Sequence, residues 1–88
     1  MKEKHLLVGI HLQNRTQDAN KLQELLTEYG CNIRTRLGLH EVDENYCSTG
    51  GIILLELVGE DSTCQELIGK LSSMDRIDVE RMVFEHYD

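Results

Sequence analysis

An α+β sandwich, one antiparallel sheet with two helices on one face, is the fold class this sequence predicts. Three observations predict it. Two almost wholly apolar runs, 5–12 and 51–58, read as strands. Two amphipathic stretches between and after them read as helices. Two charged, alternating runs, 32–39 and 77–86, supply the remaining strands. In chain order the elements are β-α-β-β-α-β. No reaction is named by this pattern, and no catalytic group stands out.

Each element has a local cause. In the first run Leu6, Val8, Ile10 and Leu12 alternate with His5, Leu7, Gly9 and His11, the period of a strand. Gln13-Asn14-Arg15 makes a short turn, with Thr16 as the expected N-cap and Asp18 near the positive helix end. Ala19, Leu22, Leu25, Leu26 and Tyr29 then fall on one helical face. Gly30 suits a left-handed C′ position just beyond them. The second strand follows at once, with Ile33, Thr35 and Leu37 on one face and Arg34, Arg36 and Gly38 on the other.

Residues 40–50 read as a polar loop, long for a hairpin. Gly50-Gly51 opens the second apolar strand, which ends near Gly59. Ser62-Thr63-Cys64-Gln65 has the spacing of a capping box. Cys64, Leu67, Ile68, Leu71 and Met74 form the stripe of the second helix. The last strand carries Val79 and Val83 on one face, Met82 and Phe84 on the other. This order of elements is that of the ferredoxin-like split βαβ. Right-handed crossovers put strands one and three in the centre, giving the order 4-1-3-2. Composition agrees, because the charged outer strands carry Arg34, Arg36, Asp78, Glu80 and Arg81, as edge strands should.

The chain's 88 residues form a single domain, since two halves could not each bury a useful core. The net charge of −7 disfavours direct nucleic-acid binding, which needs Lys and Arg against phosphates. No apolar stretch reaches the ~20 residues that span a bilayer. The start, Met1-Lys2-Glu3-Lys4, leads into an apolar run broken by His11, Gln13 and Asn14, without a small-residue cleavage site. It reads as a cytoplasmic strand rather than a signal peptide. Cys31, Cys47 and Cys64 are an odd number with no CxxC pair, so reduced thiols are expected.

Crossovers of one hand put both helices on the same face of the sheet. The opposite face would carry Leu7, His11, Arg34, Arg36, Ile52, Leu54, Glu56, Met82 and Phe84. Monomers rarely leave contiguous apolar patches above a few hundred Å² in water. A homo-oligomer, dimer or tetramer, is therefore expected, with Leu7, His11, Arg36, Ile52, Leu54, Met82 and Phe84 at its interface. Long Arg, Glu and Met stems shielding the face are the alternative.

Candidate chemistry is sparse. His40 and Cys47 could offer nitrogen and sulfur to a transition metal, although surface histidines and a loop cysteine account for the same letters. The acidic loop Glu41, Asp43, Glu44 lacks the ligand spacing of a calcium loop. Cys64 lies on a buried helix stripe, and Cys31 follows a helix end that does not favour a thiolate. The glycines lack phosphate-loop spacing. No enzyme is expected. A small-molecule pocket is the better candidate, from Asn14 and Arg15 in the first turn and Gly30 and Asn32 in the turn into strand two. These turns sit at opposite ends of the first helix, so a second subunit would complete either. No cofactor is indicated.

One resemblance spans nearly the whole chain. Arg36-Leu37-Gly38-Leu39, the acidic loop, Gly51-Ile52-Ile53-Leu54-Leu55-Glu56-Leu57, 67–74 (Leu-Ile-Gly-Lys-Leu-Ser-Ser-Met) and Ile77-Asp78-Val79 resemble the family of iron-only hydrogenase system regulators. That family is ACT-like and similar to the ligand-sensing domain of the nickel-responsive repressor. The resemblance implies an oligomeric regulatory domain of anaerobic bacteria with no assured ligand, and the acidic net charge implies that any role in transcription runs through a protein partner. The chain departs from both better-known relatives. Where the ACT effector loop carries Asp-x-Pro-Gly, it reads Gln13-Asn14-Arg15-Thr16. Of the repressor's His-x-His and Cys, only His40 and Cys47 remain, at altered spacing. Its DNA-binding module is missing from these residues.

Overall fold

The computed structural model describes residues 2–13, 15–42 and 47–87; the side chains of 2, 3, 15–18, 39–42, 47–50, 86 and 87 fall outside that description. The elements are β1 (Lys2–Leu12), α1 (Arg15–Glu28), a 3₁₀ turn (Gly30–Asn32), β2 (Ile33–Val42), β3 (Cys47–Leu57), α2 (Asp61–Ser72) and β4 (Ile77–Tyr87). One antiparallel sheet holds them in the order β2-β3-β1-β4. This is the ferredoxin-like order 4-1-3-2 read from the other edge.

Both helices cover one face. Val8, Ile10, Leu12, Leu55, Leu57 and Ile77 from the sheet meet Leu22, Leu26 and Tyr29 of α1 and Cys64, Leu67 and Leu71 of α2. These are the buried positions of the two predicted helical stripes, and Leu25, Ile68 and Met74 pack beside them half-buried. The β1–β4 ladder pairs Leu12 with Ile77, Ile10 with Val79 and Leu6 with Val83. The helix-facing set of β1 thus continues across the edge strand, and Arg81 in that set reaches Gln65 Oε1 on α2 at 2.8 Å.

Several local expectations are corrected. Helix α1 begins at Arg15, so Thr16 lies within its first turn rather than at its N-cap. Gly30 has no positive φ; α1 passes through Tyr29 into the 3₁₀ turn, where Asn32 N donates to Tyr29 O at 2.8 Å. The 3₁₀ turn gives the Tyr29 carbonyl, at the helix end, a backbone partner. Helix α2 starts at Asp61 after the N-cap Glu60, which makes no side-chain cap bond. Ser62 is thus already helical, and the capping box does not form; Thr63 N and Cys64 N both donate to Glu60 O at 3.1 Å. The expected loop 40–50 is mostly ladder, because β2 runs to Val42 and β3 starts at Cys47.

The largest correction concerns β2. Ile33 pairs with Leu57 but Thr35 pairs with Glu56, so one extra residue is accommodated between them. A bulge of this kind shifts every later side chain to the other face. Leu37 consequently stands opposite Leu54 on the uncovered face, and Arg36 stands opposite Leu55 on the helix-covered side. Simple alternation places both on the wrong face.

Two turns close the helix layer. Gly59 takes φ +98, a conformation that favours glycine, directly after β3. Arg76 takes φ 60 before β4, and its carbonyl accepts the Gln13 N–H at 3.1 Å. The second contact ties the end of β1 to the start of β4.

Candidate functional site

The uncovered face of the sheet is the candidate site, and its rows follow from the registers. Thr35, Glu56, Leu7 and Met82 form one row; Leu37, Leu54, Gly9 and Glu80 form the next. Ile52, His11 and Asp78 make a third, while His5 and Phe84 pair beyond the first. Leu37, Leu54, Met82 and Phe84 are between 43% and 56% exposed, which marks a broad apolar patch rather than scattered side chains. Gly9 has no side chain to fill the middle of the face. A shallow trough of about 450 Å³ lies there, lined by Leu7, Leu37, Leu54 and Met82 with Glu56 and Glu80 among its borders.

Two polar clusters bracket the patch. At one end the His5 Nδ1–H donates to Glu56 Oε2 at 2.9 Å, and Arg34 Nη1 donates to the same oxygen at 3.4 Å. The Glu56 side chain is only 17% exposed, so these donors offset the cost of taking a carboxylate out of water. At the other end the His11 Nδ1–H donates to Asp78 Oδ2 at 3.0 Å, and Gln13 Nε2 joins it at 3.2 Å. The hydrogen bond from His11, then that from Gln13, holds the Asp78 carboxyl below the usual carboxylate range.

Most of the interface residues expected from the sequence meet on this face. Leu7, His11, Ile52, Leu54, Met82 and Phe84 share it; Arg36 does not, for the reason of the bulge. Alternation missed Leu37 for the same reason. A bulge at Arg34–Thr35 has no glycine to announce it. His5 and Glu80 went unchosen as well, although the period of their strands places both there.

The expected effector residues are not brought together. Asn14 lies outside the described residues, and Arg15 opens α1 with its side chain outside the description. Gly30 and Asn32 lie at the far end of a 14-residue helix, about 21 Å away by its rise. Asn32 has a structural task there. Its Nδ2 donates to Val58 O at 3.0 Å while its carbonyl accepts the Val58 N–H at 2.8 Å, clamping the start of β2 to the end of β3.

Among the thiols, Cys64 donates to Val58 O at 3.5 Å, and burial, with Asp61 nearby, pushes its pKa up. It stays protonated, as a packing residue does. His40 pairs with Gly51 and Cys47 with Val42, so both expected metal ligands lie on the β2–β3 ladder; their side chains are outside the description. Among the described residues no three His, Cys, Asp or Glu side chains cluster as a metal site would. Among them, too, no helix is long and apolar enough to cross a membrane.

No protein-family model matches the chain, and no curated protein matches it. Solved structures do. An uncharacterized protein from Thermotoga maritima superposes with a TM-score of 0.75 at 26% identity, covering 96% of this chain and 99% of that one. The fold is shared more widely. A CPII protein of Thiomonas intermedia, solved bound to ADP, AMP and acetate, gives a TM-score of 0.57 at 10% identity over 100% of this chain and 93% of its own. A PII-like signaling protein of Thermus thermophilus gives 0.53 at 17% identity over 97% and 88%. At those identities the likeness establishes a ferredoxin-like architecture and nothing finer.

Proposed function

We propose that the chain is an ACT-like regulatory domain that self-associates through the uncovered sheet face, binds a small effector at a subunit boundary and acts on a protein partner. It is a binding domain rather than an enzyme. The observation that carries the reading is the apolar face itself. Leu7, Leu37, Ile52, Leu54, Met82 and Phe84 form one surface on the side of the sheet that neither helix covers. Its dimensions suit a stable dimer. Four strands at about 4.8 Å spacing and eleven residues at about 3.4 Å give a face of roughly 700 Å², close to the ~800 Å² per partner of a standard interface.

The fold shared with PII-like signalling proteins supports a regulatory reading in general, and the resemblance to iron-only hydrogenase system regulators suggests the process. Adenine nucleotides are the first effectors to test, because the CPII structure of the same fold holds ADP and AMP. A second reading, a transition-metal sensor, draws on the hairpin, whose register brings the His40 and Cys47 backbones to one end of the β2–β3 ladder.

Sedimentation equilibrium combined with thermal denaturation tests these readings. A ligand at 100 times its Kd stabilises the fold by about 2.7 kcal/mol, a rise of roughly 10 °C or more for a domain of this size. The expected result is a dimer or tetramer at micromolar concentration, stabilised by one member of a nucleotide and amino-acid panel. A monomer at all concentrations overturns the self-association. A shift with nickel, zinc or iron that His40→Ala abolishes would favour the sensor reading instead. Deleting the gene and finding hydrogenase maturation and expression unchanged would remove the hydrogenase assignment.

A further inference from the structure

We infer that self-association through the uncovered face takes up protons, with His5 and His11 as the groups that receive them. The inference rests on the interface proposed above and concerns how that interface is controlled. Among the described side chains of this face, Glu56, Asp78 and Glu80 stand against a single permanent cation, Arg34. The excess is acidic, and two copies meeting face to face would each bring it. Both histidines sit on these carboxylates: His5 on Glu56 at 2.9 Å and His11 on Asp78 at 3.0 Å. Protonating His11 makes its cluster with Asp78 neutral, and protonating His5 gives the Glu56–Arg34 cluster a positive charge that offsets Glu80, so the described charges of the face balance without moving an atom.

The surroundings of each histidine are consistent with this. His5 meets Glu56 from β3 and, across the same carboxylate oxygen, Arg34 from β2; Phe84 of β4 is its ladder partner. Arg34 partly satisfies Glu56 already, so His5 gains less than an isolated pair would. His11 meets Asp78 from β4, shares that oxygen with Gln13, and has the aliphatic Ile52 beside it on β3. Glu80 lies one open-face position along β4 from Asp78 and adds negative potential. In the free chain the His11–Asp78 cluster is open to water that screens its charge, with the His11 side chain 42% and the Asp78 side chain 60% exposed, whereas Glu56 is already largely withdrawn from it. A second copy removes that water. An unneutralised carboxylate is then costly to bury, whereas a charged and hydrogen-bonded His–carboxylate pair is far less so.

The sign follows directly. The buried carboxylates favour protonated histidines in the assembly, so lower pH favours association and higher pH weakens it. Each proton taken up contributes at most a tenfold change in association constant per pH unit.

Analytical ultracentrifugation of the full chain at pH 5.8, 6.5, 7.2 and 8.0, at constant ionic strength, is the test. The wild-type Kd should tighten by about tenfold or more from pH 8 to pH 6. The double variant His5→Asn/His11→Asn, which keeps a polar atom near each Nδ1 position, should lose most of that slope. A general fall in net charge toward the pI near 5.0 acts on both chains alike, so the difference between the two slopes is the readout. Asp78→Asn leaves both histidines in place and should flatten the His11 part of the slope, while circular dichroism checks that each variant is folded. A pH-independent wild-type Kd, or a slope that persists unchanged in the double variant and in Asp78→Asn, overturns the inference and leaves the interface standing. Absence of association at every pH instead removes the interface and this control of it together.

Discussion

Gly59 and Gly30 show how much a single backbone conformation decides. At Gly59 a Cβ would lie 2.6 Å from Asn32 Nδ2, and that amide is pinned by its bond to Val58 O. With φ at +98 as well, Gly59→Ala should cost about 1–3 kcal/mol and lower Tm by several degrees, read by thermal denaturation. Gly30→Ala is the contrast. Its added Cβ meets nothing within 4 Å and its φ is not positive, so the change should stay within ~0.5 kcal/mol of neutral. Asp78 makes a prediction in pH. Its native pKa lies below its unfolded value, so its stabilisation is complete above the ordinary carboxylate pKa near 4 and fades as pH falls through the lowered value. Acid titration followed by circular dichroism should show Asp78→Asn with a shallower loss of stability below pH 4 than the wild type.

At the scale of elements, the helices are held by packing far more than by their ends. Helix α2 has no side-chain cap, yet Cys64, Leu67 and Leu71 are buried along it. Leu67→Ala should therefore cost about 2–5 kcal/mol, a large part of the stability of a domain this size, and shift the urea midpoint accordingly. The end of α1 is tied laterally instead. Lys70 of α2 lies 5.0 Å from the centroid of the Tyr29 ring and donates to Glu28 Oε2 at 3.3 Å. In β2 the bulge is the deciding feature. It turns Leu37 outward and Arg36 toward the helix side, so the edge strand contributes an apolar side chain to the uncovered face.

For the molecule as a whole, one face of the sheet is closed by helices and the other is left with its apolar rows in water. Leu54→Glu and Met82→Glu place charge at positions 43% and 56% exposed, so neither should unfold the chain. Each should shift sedimentation toward the monomer, because two facing copies would bury uncompensated carboxylates. Gly38→Glu is the control. It lies opposite Ile53 on the edge strand, off the uncovered rows, and should leave association unchanged.

Strand order was legible in the sequence because burial makes the two apolar runs central and the charged runs edges, and right-handed crossovers fix which edge strand lies beside which central one. The helical stripes were legible for the same reason: Leu22, Leu26, Tyr29, Cys64, Leu67 and Leu71 recur at the helical period and all reach the core. What the sequence by itself determined was therefore the fold and the existence of an uncovered apolar face. Which residues populate that face was decided only in the tertiary structure. The bulge after Ile33 answers to pairing with β3, where Ile33 must meet Leu57, and no local residue signals it. The two histidine–carboxylate pairs likewise span 51 and 67 residues of sequence, a separation across which only ladder register can bring side chains into contact.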